Sequence, residues 1–267
     1  VKYLDLNFVA PLGLSETAAS SLLGFAVSSA LIGCVLGGMV GGVVASALGR
    51  KRGLMIAAVL FIISAVGSAY PEMGFPHGAP HTFLTQFIIY RIIGGVGVGL
   101  ASMLSPMYIA EMAPASRRGG LVAWNQFAII FGMLVVYFVN YFIALNGDEA
   151  WLTSTGWRLM FLSEVIPAAL LFLLVLGVPE SPRWLIMKGR EAKAVAILER
   201  INGAPEAEVE AQSIRRSLHG TVKVKLFSYG VGVIVIGMLL SVFQQFIGIN
   251  VVLYYAPEIF RNMGMGT

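Results

Sequence analysis

Three amide side chains and a glycine lie close together in an otherwise apolar stretch: Gln244, Gln245, Gly248 and Asn250. Amides carry no charge, but an unpaired amide in a hydrocarbon environment is costly. We therefore expect these side chains to face a cavity whose ligand both donates and accepts hydrogen bonds. A hydroxyl group does both. The stretch predicts a binding site for a hydroxyl-rich molecule within a membrane.

Helix geometry separates the members of this amide motif. At about 100° per residue, Gln244 and Gly248 share a face, whereas Gln245 and Asn250 point about 140° apart. The latter two could converge on one ligand only if the helix is broken between them, and Gly248 stands where that break is needed. Alternatively, the amides bond to neighbouring helices and hold them together. The residues leave both interpretations open.

A second polar face is predicted in the fourth apolar segment of the chain. Gln126, Met133, Tyr137 and Asn140 align within about 60° on a helical wheel. Gln126 is the natural partner of the amide motif across a cavity. The alternative is an interhelical amide whose hydrogen bonds are satisfied by a neighbouring helix.

Two opposite charges lie inside apolar segments, Arg91 in the third and Glu164 in the fifth. Both segments should run inward from the outer face, which places the two residues at comparable depth. Charges within the membrane often belong to ion or proton pathways, and protonation can switch a carboxylate beside an arginine. The two residues are candidates for proton coupling, and a purely structural pair is an equally good interpretation.

The composition indicates which elements must position these side chains. Of the 267 residues, 57% are hydrophobic and only 12% are charged, compared with about 25% charged in soluble domains. The apolar residues form blocks that are long enough to cross a bilayer as a helix of roughly 20 residues. We predict six membrane-spanning helices, over residues 19–47, 54–70, 84–111, 120–144, 157–178 and 227–252. The charged stretch at about 185–220 predicts two short amphipathic helices on the membrane face.

Glycines recur every four residues in the first and third of these helices. The repeats are Gly33, Gly37 and Gly41; Gly38 and Gly42; and Gly95 and Gly99. Small residues at this spacing let membrane helices approach closely, so the repeats predict helix contacts. The glycine run at 94–99 lacks the spacing and the preceding strand of a phosphate-binding loop, so no cofactor is expected there.

The basic residues indicate how the helices are oriented. Of the 18 lysines and arginines, 14 lie in the loops that follow the first, third and fifth helices. The positive-inside rule places these loops in the cytoplasm. It also explains the net charge of +4 without nucleic acid as a partner. Three charged motifs, at 49–52, 106–119 and 179–183, lie at these cytoplasmic helix ends, where they either form a coupled network or are solvated loop charges.

No catalytic or metal-binding constellation is predicted. His77 and His81 are four residues apart, but Gly78 and Pro80 between them argue against a helix that would align both for a metal. The sequence carries no nucleophile elbow, Walker loop or cluster of cysteine and histidine. Cys34 is its one cysteine, so no disulfide framework exists. We therefore expect a membrane protein that is not an enzyme and that uses no cofactor or metal.

Taken in order along the chain, these motifs resemble the sugar porter family of the major facilitator superfamily. The resemblance rests on residues 49–51, Arg91 with the glycines after it, and residues 106–119, 156–158, 179–183 and 244–255. It implies an all-α membrane protein with part of the major facilitator fold, which has twelve helices in two halves. The chain matches helices two to seven of that fold. Residues 1–178 would be the N-terminal half without its first helix, 179–226 a cytoplasmic loop with an intracellular helical domain, and 227–267 helix seven.

The resemblance implies a role for each matched position. The sugar-binding positions are Gln126, Gln244, Gln245 and Asn250. Arg91 and Glu164 fall where proton-coupled relatives keep an ion pair. The network that gates the cytoplasmic side would contain Arg50, Glu111, Arg118, Glu180 and Arg183.

Two positions depart from the family pattern. Ser46 stands where the family usually has an acidic residue of the gate network, and Met133 replaces an amide in the cavity. The proton-accepting aspartate of the family lies on the first helix, which has no counterpart in this chain. The resemblance implies a monomeric, proton-coupled pentose or hexose symporter of the inner membrane that works by alternating access. A facilitative uniporter and a transporter-like sugar sensor are the alternatives.

Overall fold

The computed structural model describes residues 2–73, 80–114, 116–219, 231–248 and 263–264, and every regular element within these ranges is helical. The main helices are α1 Glu16–Ala47, α2 Arg50–Ala69, α3 Leu84–Met112, α4 Arg118–Leu145, α5 Trp157–Leu162, α6 Val165–Gly177, α7 Pro182–Met187, α8 Glu191–Asn202, α9 Ala204–His219 and α10 Val231–Phe246. Short helical turns lie at Lys2–Leu4, Asp5–Val9, Ala10–Leu12, Pro80–Phe83, Glu149–Trp151 and Leu152–Gly156. The chain forms two compact units, Val1–Arg215 and Arg216–Thr267.

Within the described ranges, five helical segments are long and apolar enough to cross a membrane. Four of them are α1 to α4, and the fifth, Glu149–Gly177, includes α5 and α6. They correspond to the first five predicted spans. Of the sixth predicted span, the structure describes α10, an apolar helix of 16 residues. The predicted class, an all-α membrane protein, is confirmed.

The fifth span is not the continuous helix predicted over residues 157–178. α5 ends at Leu162 and α6 begins at Val165, with Ser163 and Glu164 between them. Pro167 lies four residues after Ser163, so it offers no N–H to the Ser163 carbonyl and its ring crowds that carbonyl. The break therefore has a local cause in the sequence, and it leaves Glu164 at the junction.

α1 and α3 pack with their backbones in contact. A Cβ on Gly33 would collide with the carbonyl oxygen of Ile92, and a Cβ on Gly95 would collide with that of Ala30. The same is true one turn further along, at Gly37 and Gly99. The predicted contact between these two glycine repeats is thus confirmed, and its closeness depends on the missing side chains.

The second glycine repeat of α1 does not mediate a close helix contact. A Cβ on Gly38 would meet no atom within 4 Å, and one on Gly42 would meet only the terminal methyl of Met103 at 3.7 Å. The prediction is wrong for this repeat because the Cβ positions of Gly38 and Gly42 point away from the close backbone contact with α3. Spacing shows that residues share a face, but it does not show which face has a partner.

α2 packs against α3 as well, and α6 packs against α2. Leu54 and Ala57 of α2 form a buried cluster with Leu100 and Leu104 of α3, and Val175 of α6 belongs to the same cluster. α3 therefore lies between α1 and α2. It carries side chains toward both ends of the bundle.

An aromatic cluster covers the end of α3 near Phe87. The ring centroids of Phe8 and Phe87 are 5.3 Å apart, and Trp157 meets Phe8 edge-on at 5.5 Å. The adjacent Arg158 donates a hydrogen bond of 2.7 Å to the carbonyl of Ala69, the last residue of α2. A cation at a helix C-terminus satisfies a free carbonyl and complements the helix dipole. Arg158 thus ties the end of α2 to α5.

The charged stretch forms α8 and α9, as predicted, and one further short helix, α7, precedes them. Ala194 and Leu198 of α8 are buried, which matches an amphipathic helix with one packed face. Arg215 of α9 forms ion pairs with Glu191 of α8 at 3.0 Å and with Glu208 at 3.3 Å.

The contact between α1 and α3 predicts a difference between two otherwise similar substitutions. Gly95→Ala should lower the melting temperature of the detergent-solubilised protein by several degrees, because overpacking typically costs about 1–3 kcal/mol. Gly38→Ala is the matched control, since its Cβ would enter open space, and it should leave the melting temperature unchanged or slightly raised. Equal destabilisation by both substitutions would contradict the backbone contact.

Candidate functional site

The amide motif lies in the second compact unit, at the end of α10. Gln244 is exposed on this helix, whereas Asn250 and the side chain of Gln245 lie outside the described residues. α10 ends at Phe246, and Gly248 has a φ of +74°, in the left-handed region that favours glycine. The predicted break at Gly248 is confirmed, and the helix predicted over 227–252 does not continue through it.

On α4, two neighbouring amides have different surroundings. Asn125 accepts a hydrogen bond of 2.7 Å from the hydroxyl of Ser105 on α3. Gln126 is exposed and makes no hydrogen bond within the described part of the chain. An interhelical hydrogen bond is thus made by Asn125, which the sequence analysis did not single out. Gln126 remains available to a ligand.

The rest of the predicted α4 face is partly enclosed. Met133 and Asn140 are half-buried, and Tyr137 is 37% exposed. The side-chain oxygen of Asn140 is shielded from solvent and has no hydrogen-bond partner among the described residues. An enclosed acceptor without a partner costs about 1–3 kcal/mol. This face therefore has unmet capacity to bind a hydrogen-bond donor, interrupted by the thioether of Met133.

Arg91 and Glu164 lie within electrostatic reach of each other but do not form an ion pair within 4.0 Å. Arg91 is half-buried, and its guanidinium lies 6.0 Å from the ring centroid of Phe161. Glu164 is exposed at the break between α5 and α6, which Pro167 creates. The two charges therefore influence one another electrostatically without forming an ion pair among the described residues.

At the opposite end of α3, Arg50 and Glu111 form an ion pair. The distance from Arg50 Nη2 to Glu111 Oε1 is 2.7 Å, and the two side chains are only 10% and 13% exposed. The second guanidinium nitrogen, Nη1, donates to the carbonyl of Ala45 at 3.0 Å. The other carboxylate oxygen of Glu111 accepts a short hydrogen bond from the Ser181 hydroxyl. Both oxygens of Glu111 are therefore occupied, as a poorly solvated carboxylate requires.

Glu180 binds backbone amides rather than a cation. Its Oε1 accepts hydrogen bonds from the N–H groups of Arg50 at 3.0 Å and Lys51 at 3.1 Å, the first residues of α2. A carboxylate there satisfies free N–H groups and complements the helix dipole. The preceding Gly49 has a φ of +97°, and a Cβ at Gly49 would collide with this carboxylate. Glycine is thus required at this position for two reasons.

Three further side chains complete this cluster: Ser181, Tyr108 and Trp184. The sequence analysis did not assign them a role. Besides Ser181, Tyr108 donates from its hydroxyl to the carbonyl of Pro179 at 2.8 Å. The indole of Trp184 donates to the carbonyl of Ser46 at 3.1 Å. Ser46, the departure from the family pattern, thus contributes its backbone where an acidic side chain was expected. The signal was present, since Tyr108, Ser181 and Trp184 lie within or next to the charged motifs.

Two of the five expected network residues lie elsewhere. Arg118 pairs with Glu210 of α9 at 3.6 Å, with side chains that are 45% and 26% exposed. Arg183 is exposed and forms no ion pair in the described part of the chain. Exposed pairs contribute at most about 1 kcal/mol. The structure therefore brings Arg50, Glu111 and Glu180 together and leaves both Arg118 and Arg183 outside that cluster.

Comparison with known proteins gives a consistent assignment. Residues 4–267 match the family model described as "Sugar (and other) transporter". The chain is 57% identical to the D-xylose-proton symporter of Escherichia coli K12, over 100% of this chain and 56% of the relative. It is 41% identical to the arabinose-proton symporter of Bacillus subtilis, over 91% of this chain and 51% of the relative. The chain thus spans about half the length of the curated relatives it matches.

The structural comparison agrees with the sequence comparison. The proton:xylose symporter XylE bound to 6-bromo-6-deoxy-D-glucose superposes with a TM-score of 0.94 and 57% identity, over 99% of this chain and 58% of that chain. An inward-open structure of the xylose transporter XylE from E. coli superposes with a TM-score of 0.87, over 97% of this chain and 58% of that chain. Both likenesses support part of a major facilitator fold. The chain belongs to the Sugar (and other) transporter family of the major facilitator superfamily.

Proposed function

We propose that the chain is part of a proton-coupled symporter for a pentose or hexose, located in the inner membrane and working by alternating access as a monomer. The observation that carries this proposal is the 57% identity along the whole chain to a D-xylose-proton symporter. The sequence alternatives, a facilitative uniporter or a sugar sensor, are less well supported, since two of the relatives compared above are named proton symporters. No cofactor takes part, and the proton is the coupling ion.

In this proposal, amide side chains recognise the sugar hydroxyls. Gln126 on α4 is one of the proposed sugar-binding residues, and Gln244, Gln245 and Asn250 of the second unit are the others. The unoccupied hydrogen-bonding groups of Gln126 and the enclosed oxygen of Asn140 support a polar ligand along α4. The positive φ of Gly248 supports a polar ligand beside α10, because a helix break at this residue would let Gln245 and Asn250 approach one ligand.

Proton coupling is proposed for Arg91 and Glu164. A carboxylate that exchanges between a proton and a nearby guanidinium can link its protonation to a structural change. The separation of these two charges, within electrostatic reach but without an ion pair, supports such an exchange. In the complete transporter, the two residues would act alongside the aspartate that the resemblance places on the first helix of the family.

The proposed cytoplasmic gate is built on the cluster of Arg50, Glu111 and Glu180. These residues hold the segment before α7 against the ends of α2 and α3. Arg118 and Arg183 would contribute through other contacts, such as the pair between Arg118 and Glu210. When the cluster is paired, we expect it to stabilise a closed cytoplasmic side and thus an outward-open transporter.

The two neighbouring amides of α4 allow a matched test of the sugar site in the complete transporter. Gln126→Ala should weaken sugar binding about tenfold or more, because a hydrogen bond to a ligand hydroxyl is lost, while the melting temperature without sugar stays unchanged. Asn125→Ala should lower the melting temperature, since it breaks the bond to Ser105, and leave sugar affinity largely intact. Calorimetric titration and thermal unfolding of both variants measure the difference, and unchanged sugar affinity in Gln126→Ala would refute its role.

Proton coupling is tested by Glu164→Gln, which removes the titratable group and keeps the shape of the side chain. We expect uptake driven by a proton gradient to fall at least tenfold, while counterflow of sugar without a gradient persists. Proteoliposomes with labelled sugar and an imposed pH difference measure both activities. A variant with full gradient-driven uptake and an unchanged pH profile would show that Glu164 has no part in coupling.

For the gate, the informative comparison is between a buried and an exposed ion pair. Glu111→Gln should shift the complete transporter toward the inward-open state, because breaking a poorly solvated pair leaves Arg50 uncompensated, at a cost of roughly 3–5 kcal/mol. Glu210→Gln removes the partner of Arg118 in a pair that is more exposed and longer, at 3.6 Å, and should change the equilibrium little. Distances between spin labels on the cytoplasmic side report the two populations. An equal shift in both variants would contradict the special role of the Arg50–Glu111 pair.

A further inference from the structure

A groove with a volume of about 480 Å³ runs along the outside of α2. Its walls are almost entirely apolar. They are formed by Met55, Ile56, Val59 and Leu60 of α2, Phe172 of α6 and Leu48 at the end of α1. The one charged residue that lines it is Arg52, in the first turn of α2. The groove thus combines a long apolar wall with a cation at one end.

The three consecutive cations at the start of α2 have different surroundings. Arg50 is held by Glu111 and the carbonyl of Ala45. Lys51 donates to the carbonyl of Leu176, near the end of α6, at 2.8 Å. Arg52 is exposed and, among the described residues, forms no ion pair or hydrogen bond. Two of the cations are therefore used within the fold, and the third is left free at the mouth of the groove.

The position and length of the groove fit the membrane. From Arg52 to Leu60 the helix rises eight residues, or about 12 Å. One leaflet of the hydrocarbon core is about 15 Å thick. The basic loop that contains Arg52 lies on the side assigned to the cytoplasm, where anionic lipids attract lysine and arginine near the surface. The groove therefore follows one leaflet from the headgroup region toward the middle of the bilayer.

We propose that this groove binds an anionic phospholipid of the cytoplasmic leaflet, with one acyl chain along α2 and the headgroup phosphate on Arg52. The guanidinium matches a phosphate in charge and in its paired donors. The apolar wall between α2 and α6 supplies the contact for the chain. This groove and the proposed sugar site on α4 would bind different kinds of ligand. The groove recognises an anion and a hydrocarbon chain rather than hydroxyl groups.

The test uses the complete transporter in detergent, titrated with phosphatidylglycerol or with phosphatidylcholine of the same acyl chains, and measures bound lipid by native mass spectrometry. Arg52→Gln should weaken phosphatidylglycerol binding about fivefold, the equivalent of about 1 kcal/mol for one basic residue at the membrane surface. Arg52→Lys should retain most of the binding. Val59→Trp fills the groove and should weaken the binding of phosphatidylglycerol without removing the charge.

Arg117→Gln is the matched control, because Arg117 is another exposed cation of a cytoplasmic loop and does not line the groove. It should leave phosphatidylglycerol binding unchanged. An equal loss in Arg117→Gln and Arg52→Gln would overturn the proposal in favour of general surface charge. Equal affinity of the unmodified protein for the two lipids would overturn headgroup recognition. Unchanged binding in Val59→Trp, with an unaltered melting temperature, would overturn the placement of the acyl chain.

Discussion

The backbone contact between α1 and α3 is the constraint on which the rest of the first unit depends. Because Gly33 and Gly95 place no side chain between the helices, α3 lies closer to α1 than any larger residue would permit. α3 carries Arg91 toward one end, Ser105 further along and Glu111 near the other end. A wider separation of α1 and α3 would therefore displace the coupling candidate, the anchor of α4 and the cytoplasmic cluster together. Van der Waals contact between α1 and α3 thus places the residues from which the polar contacts of all three are made.

The cytoplasmic cluster follows from the cost of removing carboxylates from water. Glu111 uses one oxygen for Arg50 and the other for Ser181, so little of its charge is left without a partner. Glu180 uses the free N–H groups at the start of α2, which offer both donors and a favourable dipole. Because helix amides satisfy this carboxylate, Glu180 does not need an arginine side chain as its partner. Arg118 lies apart and pairs with the half-buried carboxylate of Glu210.

Much of the fold and part of the candidate site could be predicted from the sequence. There is a physical reason why the remaining features could not be predicted. Long apolar blocks predict the spans, and the need to bring separated amides together predicts the break at Gly248. The interruption after Leu162 could also have been predicted, since Pro167 removes a helix bond. The ion-pair partner of a charged residue could not be predicted from the sequence, because an arginine at a helix end can reach several carboxylates. The same applies to Gly38, because the spacing does not show that a Cβ at this position would point into open space in the described structure.

The polar face of α4 shows how two neighbouring amides acquire different surroundings. Adjacent residues point about 100° apart on a helix. Asn125 therefore faces α3 and is satisfied by Ser105, while Gln126 faces away from that contact. Within a membrane, an amide that faces away from its neighbours must find another hydrogen-bonding partner, since hydrocarbon provides none. Asn140, on the same face as Gln126, also has an unsatisfied oxygen. Two such groups on one face favour a hydrated cavity beside α4, which is the environment that the proposed sugar site requires.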